Sequence, residues 1–302
     1  MLSIRHASLT IAWNIEHRQQ QIDKKEGEIM NYKYILYEKL DNIAKITVNR
    51  PAVMNVISRQ VYQELNEAFL QAEKDDEVKV IVVAGVGDHF GAGHDIGTKE
   101  MLEEEEQTPR DRTPLGVLKD MDRGVYWCMH DQWRNICKPT IAMVQGYCIM
   151  GSWMLASACD IIIASEDARF TDRLVRWGGA HDEYPTFFWD LGPRKAKELL
   201  WTGDFIDGRE AWRLGMVNRV VPKERLEEET MKLARRIALN EPFALMLSKM
   251  SINQAVDIMG QTAAQRASGN FWVMGTLRHM AEGTRIDVEW SKARNKAFDE
   301  QK

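Results

Sequence analysis

The sequence predicts an α/β protein, and three stretches carry this prediction. Residues 140–164 give a buried strand (Thr140–Val144), a turn, a helix of small residues (Ser152–Cys159) and a second buried strand. Residues 78–84 are mostly β-branched, which is typical of a fully buried strand. Residues 223–298 are rich in Met, Ala, Arg and Glu and predict helices. This alternation of strands and helices indicates the α/β class.

Shorter patterns predict the remaining elements. Two alternating segments, 35–39 and 43–48, flank Asp41-Asn42 and predict a β-hairpin. Ser58 is a good N-cap for an amphipathic helix that reaches about Asp75. Further helices are expected over 115–136, 186–191, 194–200 and 208–214, and short strands over 168–172 and 217–221.

Composition excludes several classes of protein. The chain has 302 residues, of which 44% are hydrophobic and 28% charged, so it can bury a large core. A formal net charge of −5 gives no reason to expect nucleic acid or an anionic membrane as partner. No apolar run approaches the ~20 residues that a membrane span needs. The histidines form no HxxxH or HExxH spacing, so we expect no metal site.

The four cysteines contain no CxxC pair and lie among apolar residues. We interpret them as buried thiols in a reducing compartment, and we therefore expect a cytoplasmic protein.

The predicted organisation has three parts. Residues 1–29 are polar, lack a secretory h-region, and form an N-terminal extension; residues 30–222 are the core domain; residues 223–302 are the helical region. The codons for Lys25-Glu26-Gly27 can form a purine-rich, ribosome-binding-site-like run just before Met30. Native translation could therefore begin at Met30, which an intact Met1 in protein from the native host would refute; the alternative is a disordered arm or short helix.

Two glycine-rich segments are the first candidates for chemistry. The loop 85–96 follows a buried strand, at the end of which open α/β sheets bind ligands. Gly151 precedes the helix of small residues. Because the first turn of a helix has N–H groups without helical partners and a partial positive charge, a glycine there lets a developing oxyanion approach those donors closely.

Three motifs, taken in order, carry a family resemblance. They are the loop 90–96 (FGAGHDI), the segment from Lys138-Pro139 to Cys159-Asp160 with Gly146 and Gly151, and the stretch 200–204 (LWTGD) followed by 211–221. The sequence from Tyr34 to about Phe298 thus resembles the crotonase superfamily, the enoyl-CoA hydratase/isomerase group.

The resemblance implies a crotonase-like spiral of ββα units, with C-terminal helices that build homotrimers or homohexamers. It also implies an acyl-CoA thioester as substrate, with no cofactor other than the CoA of the substrate. The backbone N–H groups of His94 and Gly151 would hold the thioester oxygen and stabilise an enolate. The residues expected along the CoA moiety are Met54, Val56, His94, Asp95, Ile96 and Lys99, although the family's usual lysine is replaced by Ala52.

The sequence departs from the resemblance at the acid/base pair. Hydratases of this family carry one glutamate three residues after the second oxyanion glycine and another on the following strand-loop, but Met154 and Leu174 stand here. The nearby cluster His181-Asp182-Glu183 is the alternative source of proton chemistry. We expect Asp182 and His181 to act as base or proton shuttle, with Glu183 as the alternate. The competing interpretation is a solvated or helix-capping loop.

Other polar and aromatic residues have less specific interpretations. Asp172 could face the pocket, but residues of this kind more often make a turn or an ion pair. Trp153 or Trp177 could line the acyl pocket, although a buried tryptophan is usually part of the core.

Three functions fit these residues. The first is a hydratase or isomerase with acid/base residues in the 181–183 loop. The second is hydrolytic carbon–carbon cleavage of a β-oxo acyl-CoA, which also passes through an enolate. The third is an acyl-CoA-binding protein without catalysis. The fold by itself does not choose among them.

Overall fold

The computed structural model describes residues 32–111, 113–123, 125–283 and 296, without the side chains of 120–126. The expected extension over 1–29 and the helix beyond Gly283 therefore lie outside the described residues. From Tyr34 onward the described chain belongs to one compact unit.

A six-stranded sheet forms the centre of this unit, in the order β1-β2-β3-β4-β6-β9. The hairpin of β1 and β2 is antiparallel, as predicted, and each later neighbour is parallel. The strands are β1 (Ile35–Leu40), β2 (Ile43–Val48), β3 (Val80–Gly85), β4 (Thr140–Val144), β6 (Ile161–Ser165) and β9 (Arg219–Val221). The expected strand over 217–221 is therefore shorter than predicted.

Two helices pack against the central sheet, in which β3 is buried along its whole length, as its uninterrupted apolar sequence predicts. One is α1 (Arg59–Lys74), whose N-cap Ser58 accepts a hydrogen bond from Val61 N–H at 3.4 Å, as the sequence predicted. The other is α9 (Leu226–Ala238), whose Met231 and Ala234 join a core cluster with β3 and β4 residues. The first helix of the expected helical region thus belongs to the main core.

A second, smaller sheet lies beside the site described below. It consists of β5 (Tyr147–Ile149), β7 (Arg169–Thr171) and β8 (Ile206–Asp207), in the order β5-β7-β8. The sequence predicted β7 but not β5. β5 has only three residues, and Gly146 before it has the left-handed backbone angle φ = 52° that redirects the chain there.

Most of the remaining helices match the predicted positions with small shifts, but the helix Lys99–Gln107 (α2) was not among those predicted. The helix expected over 115–136 is described over Pro114–Arg123 (α3) and Val125–Arg134 (α4), and the helix expected from Ser152 begins at Gly151 as α5. The bounds are α2 (Lys99–Gln107), α3 (Pro114–Arg123), α4 (Val125–Arg134), α5 (Gly151–Ser157), α6 (Phe187–Asp190), α7 (Gly192–Thr202), α8 (Gly208–Arg213), α10 (Pro242–Ile258) and α11 (Gln261–Ala281).

Two predictions from the sequence concern membrane-spanning helices and the exposure of the cysteines. No helix among the described residues combines the length and apolarity that crossing a membrane requires. All four cysteines are free thiols, but the expectation that they are buried is wrong for Cys128 and Cys137, which are exposed. Both lie among apolar residues in sequence, yet their positions in the fold face outward.

Candidate active site

The glycine-rich loop after β3 lies alongside β5, and backbone hydrogen bonds fasten the two segments together. Gly91 N–H donates to Tyr147 O at 2.8 Å, and Ile149 N–H donates to Gly91 O at 3.1 Å. The Ser152 hydroxyl adds a third contact, because it accepts a hydrogen bond from Gly93 N–H at 3.1 Å. The start of α5 is thereby held against residues 91–93.

The direction of the His94 amide follows from its pairing with Ile57. Ile57 N–H donates to Gly93 O at 2.8 Å, and Asp95 N–H donates to Ile57 O at 3.0 Å. In a parallel bridge of this kind the residue between the two bonds turns its own N–H to the opposite side. The N–H of His94 therefore points away from Ile57.

The amide of Gly151 lies close to this loop. Gly151 is the first residue of α5, so its N–H has no partner within the helix. A β-carbon built on Gly93 would lie 3.7 Å from Gly151 N and 3.0 Å from Ile149 O, and Gly93 has φ = 97°. Only glycine combines this left-handed backbone with so close an approach. The two segments that carry the candidate oxyanion donors are thus neighbours.

Met150 enters α5 through a strained backbone. It has φ = 46° and ψ = −117°, an unusual combination for a residue with a side chain. Its N–H donates to Thr171 O at 3.0 Å and its carbonyl accepts from Met154 N–H at 2.9 Å, so β7 and the helix hold it on both sides. This conformation sets the orientation of the next peptide, which contains the N–H of Gly151.

Asp95 fixes the loop from the other side. Its Oδ2 accepts hydrogen bonds from Arg50 Nη1 at 2.8 Å and from the Thr98 hydroxyl at 2.6 Å, and its Oδ1 accepts from Thr98 N–H at 3.0 Å. Burial by itself raises the pKa of Asp95, but the hydrogen bonds from Thr98 and Arg50 outweigh burial and lower it. Asp95 is therefore a charged anchor of the loop.

An ion-pair contact joins the loop to the 181–183 cluster. His94 Nε2 lies 3.0 Å from Glu183 Oε2, and the side chains are 14% and 7% exposed. Burial raises the pKa of Glu183, but the charge and the hydrogen bond of His94 lower it more, and the resulting pKa is below that of an ordinary glutamate. Glu183 is therefore a carboxylate at neutral pH.

The His94 ring also touches the start of α5. A β-carbon built on Gly151 would lie 2.5 Å from His94 Cε1 and 2.6 Å from His94 Nδ1. Nδ1 of the same ring also lies 3.5 Å from the Tyr62 hydroxyl. One imidazole thus bridges Gly151, Tyr62 and Glu183, which brings an acid/base pair next to the candidate oxyanion donors.

His94 and Glu183 line a cavity of about 770 Å³, a size within the usual range for small-molecule sites. Gly151 and Tyr62 are not among its lining residues, although Met150, the residue before Gly151, is. Among the residues predicted to bind CoA, Met54, Val56, His94, Asp95 and Ile96 line it. Lys99 is not among the lining residues; its ammonium pairs with Glu103 at 3.4 Å and its side chain is 86% exposed.

The three members of the 181–183 cluster have different surroundings. Glu183 lines the cavity, whereas His181 and Asp182 are buried and are not among the lining residues. His181 contacts Asp182 O through Nδ1 at 2.7 Å and the Ser268 hydroxyl through Nε2 at 3.0 Å. Burial, and then the carboxyls of Asp172 and Glu183, raise the pKa of Asp182 well above its usual value. The alternate of the sequence prediction is thus the residue that faces the cavity.

The two positions at which a hydratase carboxylate would be expected have apolar surroundings. Met154 is 1% exposed and packs with Trp127 and Tyr184 in a buried cluster. Leu174 lines the cavity, as does Trp177. Trp153 is 2% exposed and packs against Phe170 and Phe187, so it belongs to the core.

One wall of the cavity comes from α11, a helix for which the family resemblance implied only a role in oligomerisation. Five residues of this helix line the cavity: Trp272, Gly275, Thr276, His279 and Met280. Their spacing is that of one helical face. The spacing of these five residues is visible in the sequence. The whole helix is rich in apolar residues, however, so the pattern does not single out the face that lines the cavity.

The chain is similar to known proteins over most of its length. Residues 38–296 match the model of the enoyl-CoA hydratase/isomerase family. EchA13 of Mycobacterium tuberculosis, provisionally named an enoyl-CoA hydratase, is 41% identical over 77% of this chain and 77% of its own length. A crotonyl-CoA hydratase of Syntrophomonas wolfei is 31% identical over 87% of this chain and 98% of its own.

A solved structure gives the same result for the fold. The crystal structure of an enoyl-CoA hydratase/isomerase from Xanthobacter autotrophicus Py2 superposes with a TM-score of 0.73 at 31% identity. The match covers 87% of this chain and 99% of that one.

Replacing Gly151 with alanine tests the contact between α5 and the His94 ring. Because the new methyl would lie 2.5 Å from His94 Cε1, the ring must leave Glu183 or α5 must move. We expect kcat/KM for an acyl-CoA substrate to fall about 100-fold, as a displacement near 1 Å can produce. Steady-state kinetics measures this, with the melting temperature as control for folding; an unchanged kcat/KM would contradict the geometry.

Proposed function

Since the chain belongs to the enoyl-CoA hydratase/isomerase family, we propose that it hydrates a 2-enoyl-CoA and that Glu183 moves the proton. The observation that carries the proposal is the His94–Glu183 pair, 3.0 Å apart on the cavity wall and in contact with Gly151. The lowered pKa keeps Glu183 ionised and thus able to accept a proton, and the imidazole holds it beside two backbone amides that can stabilise a thioester enolate.

The proposed reaction has two steps. Glu183 takes a proton from water as the water oxygen adds to Cβ, and the electron pair of the double bond moves toward the thioester oxygen. The N–H groups of His94 and Gly151 stabilise the resulting enolate, a kind of interaction for which one donor contributes about 3 kcal/mol. Glu183 then returns the proton to Cα, so one carboxylate serves as base and then as acid.

His94 has a positioning role in this proposal. Its Nε2 holds one carboxylate oxygen of Glu183, and its ring packs on Gly151. The second oxygen of Glu183 is then the one that exchanges the proton. A histidine–carboxylate pair of this kind keeps the base ionised and oriented, because the imidazole hydrogen bond favours the charged form.

Isomerisation is the second candidate, and Met154 is the observation that favours it. Met154, Trp127 and Tyr184 form a buried cluster at the first expected carboxylate position. With one proton carrier, Glu183 could take a proton from Cα of a 3-enoyl-CoA and return it to Cγ or follow the reverse path, without adding water. The same dienolate oxygen would be stabilised by the same amides.

We propose that the nucleotide part of CoA binds at the cavity mouth, near Met54 and Ile96. These apolar side chains are 45% and 50% exposed, an arrangement that supports a contact with the flat adenine ring. Arg110 lines the same cavity and carries a charge that suits phosphate, and it also pairs with Glu105 at 3.1 Å. Lys99 stays a candidate for phosphate contact only if it leaves Glu103.

Replacing Glu183 with glutamine tests the proposed proton carrier. We expect kcat for crotonyl-CoA hydration to fall at least about 100-fold, the usual contribution of a general base, with little change in CoA binding. The parent's kcat/KM should stay high down to about pH 4.3, the ordinary glutamate value, because activity is lost only as pH falls through the lowered pKa of Glu183.

Glu64→Gln is the matched control, since Glu64 is also buried and hydrogen-bonded but does not line the cavity. Turnover is followed by loss of enoyl absorbance for crotonyl-CoA and by its gain for a 3-enoyl-CoA. An active Glu183→Gln variant would remove Glu183 from the mechanism. A product with a hydrolysed carbon–carbon bond, or CoA binding without any turnover, would favour the alternative functions instead.

We also propose a homotrimer or homohexamer in the cytoplasm. Large apolar side chains are exposed on α10 and α11, which supports a subunit interface; they are Phe243, Leu247, Met250, Ile252, Phe271 and Met274. The free thiols support a reducing compartment. Light scattering of the purified chain should give three or six times the monomer mass, and a monomer at micromolar concentration would contradict the assembly.

A further inference from the structure

Asp172 follows β7 directly and is fully buried, although it carries a carboxyl group. Its Oδ1 accepts a hydrogen bond from Leu174 N–H at 2.8 Å, and its Oδ2 accepts one from Asp182 N–H at 2.7 Å. One side chain therefore fastens the chain at two points that are eight residues apart. The predicted role of Asp172 in a turn accounts for the first bond but not for the second.

The segment between these two points forms part of the cavity wall. It contains the short 3-10 helix Leu174–Trp177, and Gly178 then turns the chain with φ = 83°. Leu174, Trp177 and Gly179 line the cavity. The second bond ends at the backbone of Asp182, the residue immediately before Glu183. Fixing the 182 amide therefore fixes the peptide from which the proposed base extends.

The neighbouring helix confirms how little freedom this segment has. A β-carbon built on Gly275 of α11 would lie 3.6 Å from Gly179 Cα, and one built on Gly179 would lie 2.5 Å from Leu174 Cγ. His181 is held by Ser268 of α11 at 3.0 Å. The 174–182 segment thus packs against α11, and Asp172 holds both of its ends.

The carboxyl of Asp182 has a different place in this arrangement. Its Oδ1 is buried without a hydrogen-bond partner, and the residue does not line the cavity. Its backbone N–H, by contrast, makes the 2.7 Å bond to Asp172. Position 182 therefore acts through its main chain rather than through its side chain.

We propose that Asp172 is the positioning residue for Glu183: its two carboxylate oxygens clamp the 174–182 segment and so hold the Glu183 carboxylate within hydrogen-bond distance of His94. The proposal rests on the proposed function, because it assigns Asp172 to the residue that moves the proton there. Asp172 itself does not touch the substrate in this role.

The test compares Asp172→Asn, Glu183→Gln and the double variant. Asparagine keeps the size of the side chain but offers one acceptor oxygen and turns its amide nitrogen toward the other N–H. We expect Asp172→Asn to lower kcat about tenfold or more, as loss of positioning does, while the dissociation constant of CoA stays unchanged. The double variant should be no slower than Glu183→Gln alone, because residues that act as a unit are not additive.

A merely structural role predicts a different pattern. Loss of stability alone would lower the melting temperature and the folded fraction, and its effect would multiply with that of Glu183→Gln. Asp160→Asn is the control, since Asp160 also accepts a backbone N–H, from Thr140 at 2.8 Å, but does not line the cavity; it should keep the parent kcat. An unchanged kcat in Asp172→Asn, or a multiplicative loss in the double variant, overturns the proposal.

Asp182→Asn keeps the test decisive if Asp172→Asn does not fold. It removes the carboxyl of residue 182 and leaves its N–H bond to Asp172 in place, so kcat should stay near that of the parent. A loss as deep as that of Glu183→Gln would make Asp182 a proton carrier and overturn the proposal. If Glu183→Gln itself keeps full activity, the proposed function fails, which is a separate result from failure of the clamp.

Discussion

The pairing of the 91–95 loop with β5 on one side and with Ile57 on the other is the constraint on which the site depends. Main-chain bonds at Gly91, Gly93 and Asp95 place one amide of the loop, that of His94, on the side away from Ile57. The same bonds hold α5 close enough that the His94 ring contacts Gly151. Because these are backbone bonds, the pairing depends on glycine positions and on chain direction, and the side chains of Ser152 and Asp95 then fix the loop further.

The second feature of the site is a group of buried carboxyls, which is costly unless each has a partner. The partners differ. Arg50 and Thr98 hold Asp95, His94 holds Glu183, and two backbone N–H groups hold Asp172. Asp182 lacks a partner for Oδ1, and burial, followed by the charges of Asp172 and Glu183, raises its pKa. Both Asp95 and Glu183 line the cavity, but Asp95 is also bound by Thr98 and anchors the loop, whereas Glu183 lies beside His94 and is the carboxylate proposed for catalysis.

Local sequence patterns were sufficient for most of the fold. The hairpin, the Ser58 cap and the buried strands β3 and β4 each depend on neighbouring residues, and each was predicted. The strand β5 was missed because three residues give too short a pattern, and its existence depends on pairing with Arg169–Thr171 of β7.

The site was predictable only in part, because the residues that determine it are far apart in the sequence. The motifs led to His94, Gly151 and the 181–183 cluster, but no local rule decides which of three consecutive polar residues faces a cavity. That depends on the clamp at Asp172 and on α11, which lie about ten and ninety residues away along the chain. The cavity-lining face of α11 shows that a helical face can be recognised in the sequence without any indication of what it packs against.

The central claim is that the amides of positions 94 and 151 polarise a thioester carbonyl in this cavity. Infrared difference spectroscopy of a bound, unreactive acyl-CoA measures that polarisation directly through the carbonyl stretching frequency. We predict a shift to lower frequency on binding, which the Gly151→Ala variant should lose. A carbonyl band at its frequency in water, with the ligand bound to the parent protein, would contradict the claim.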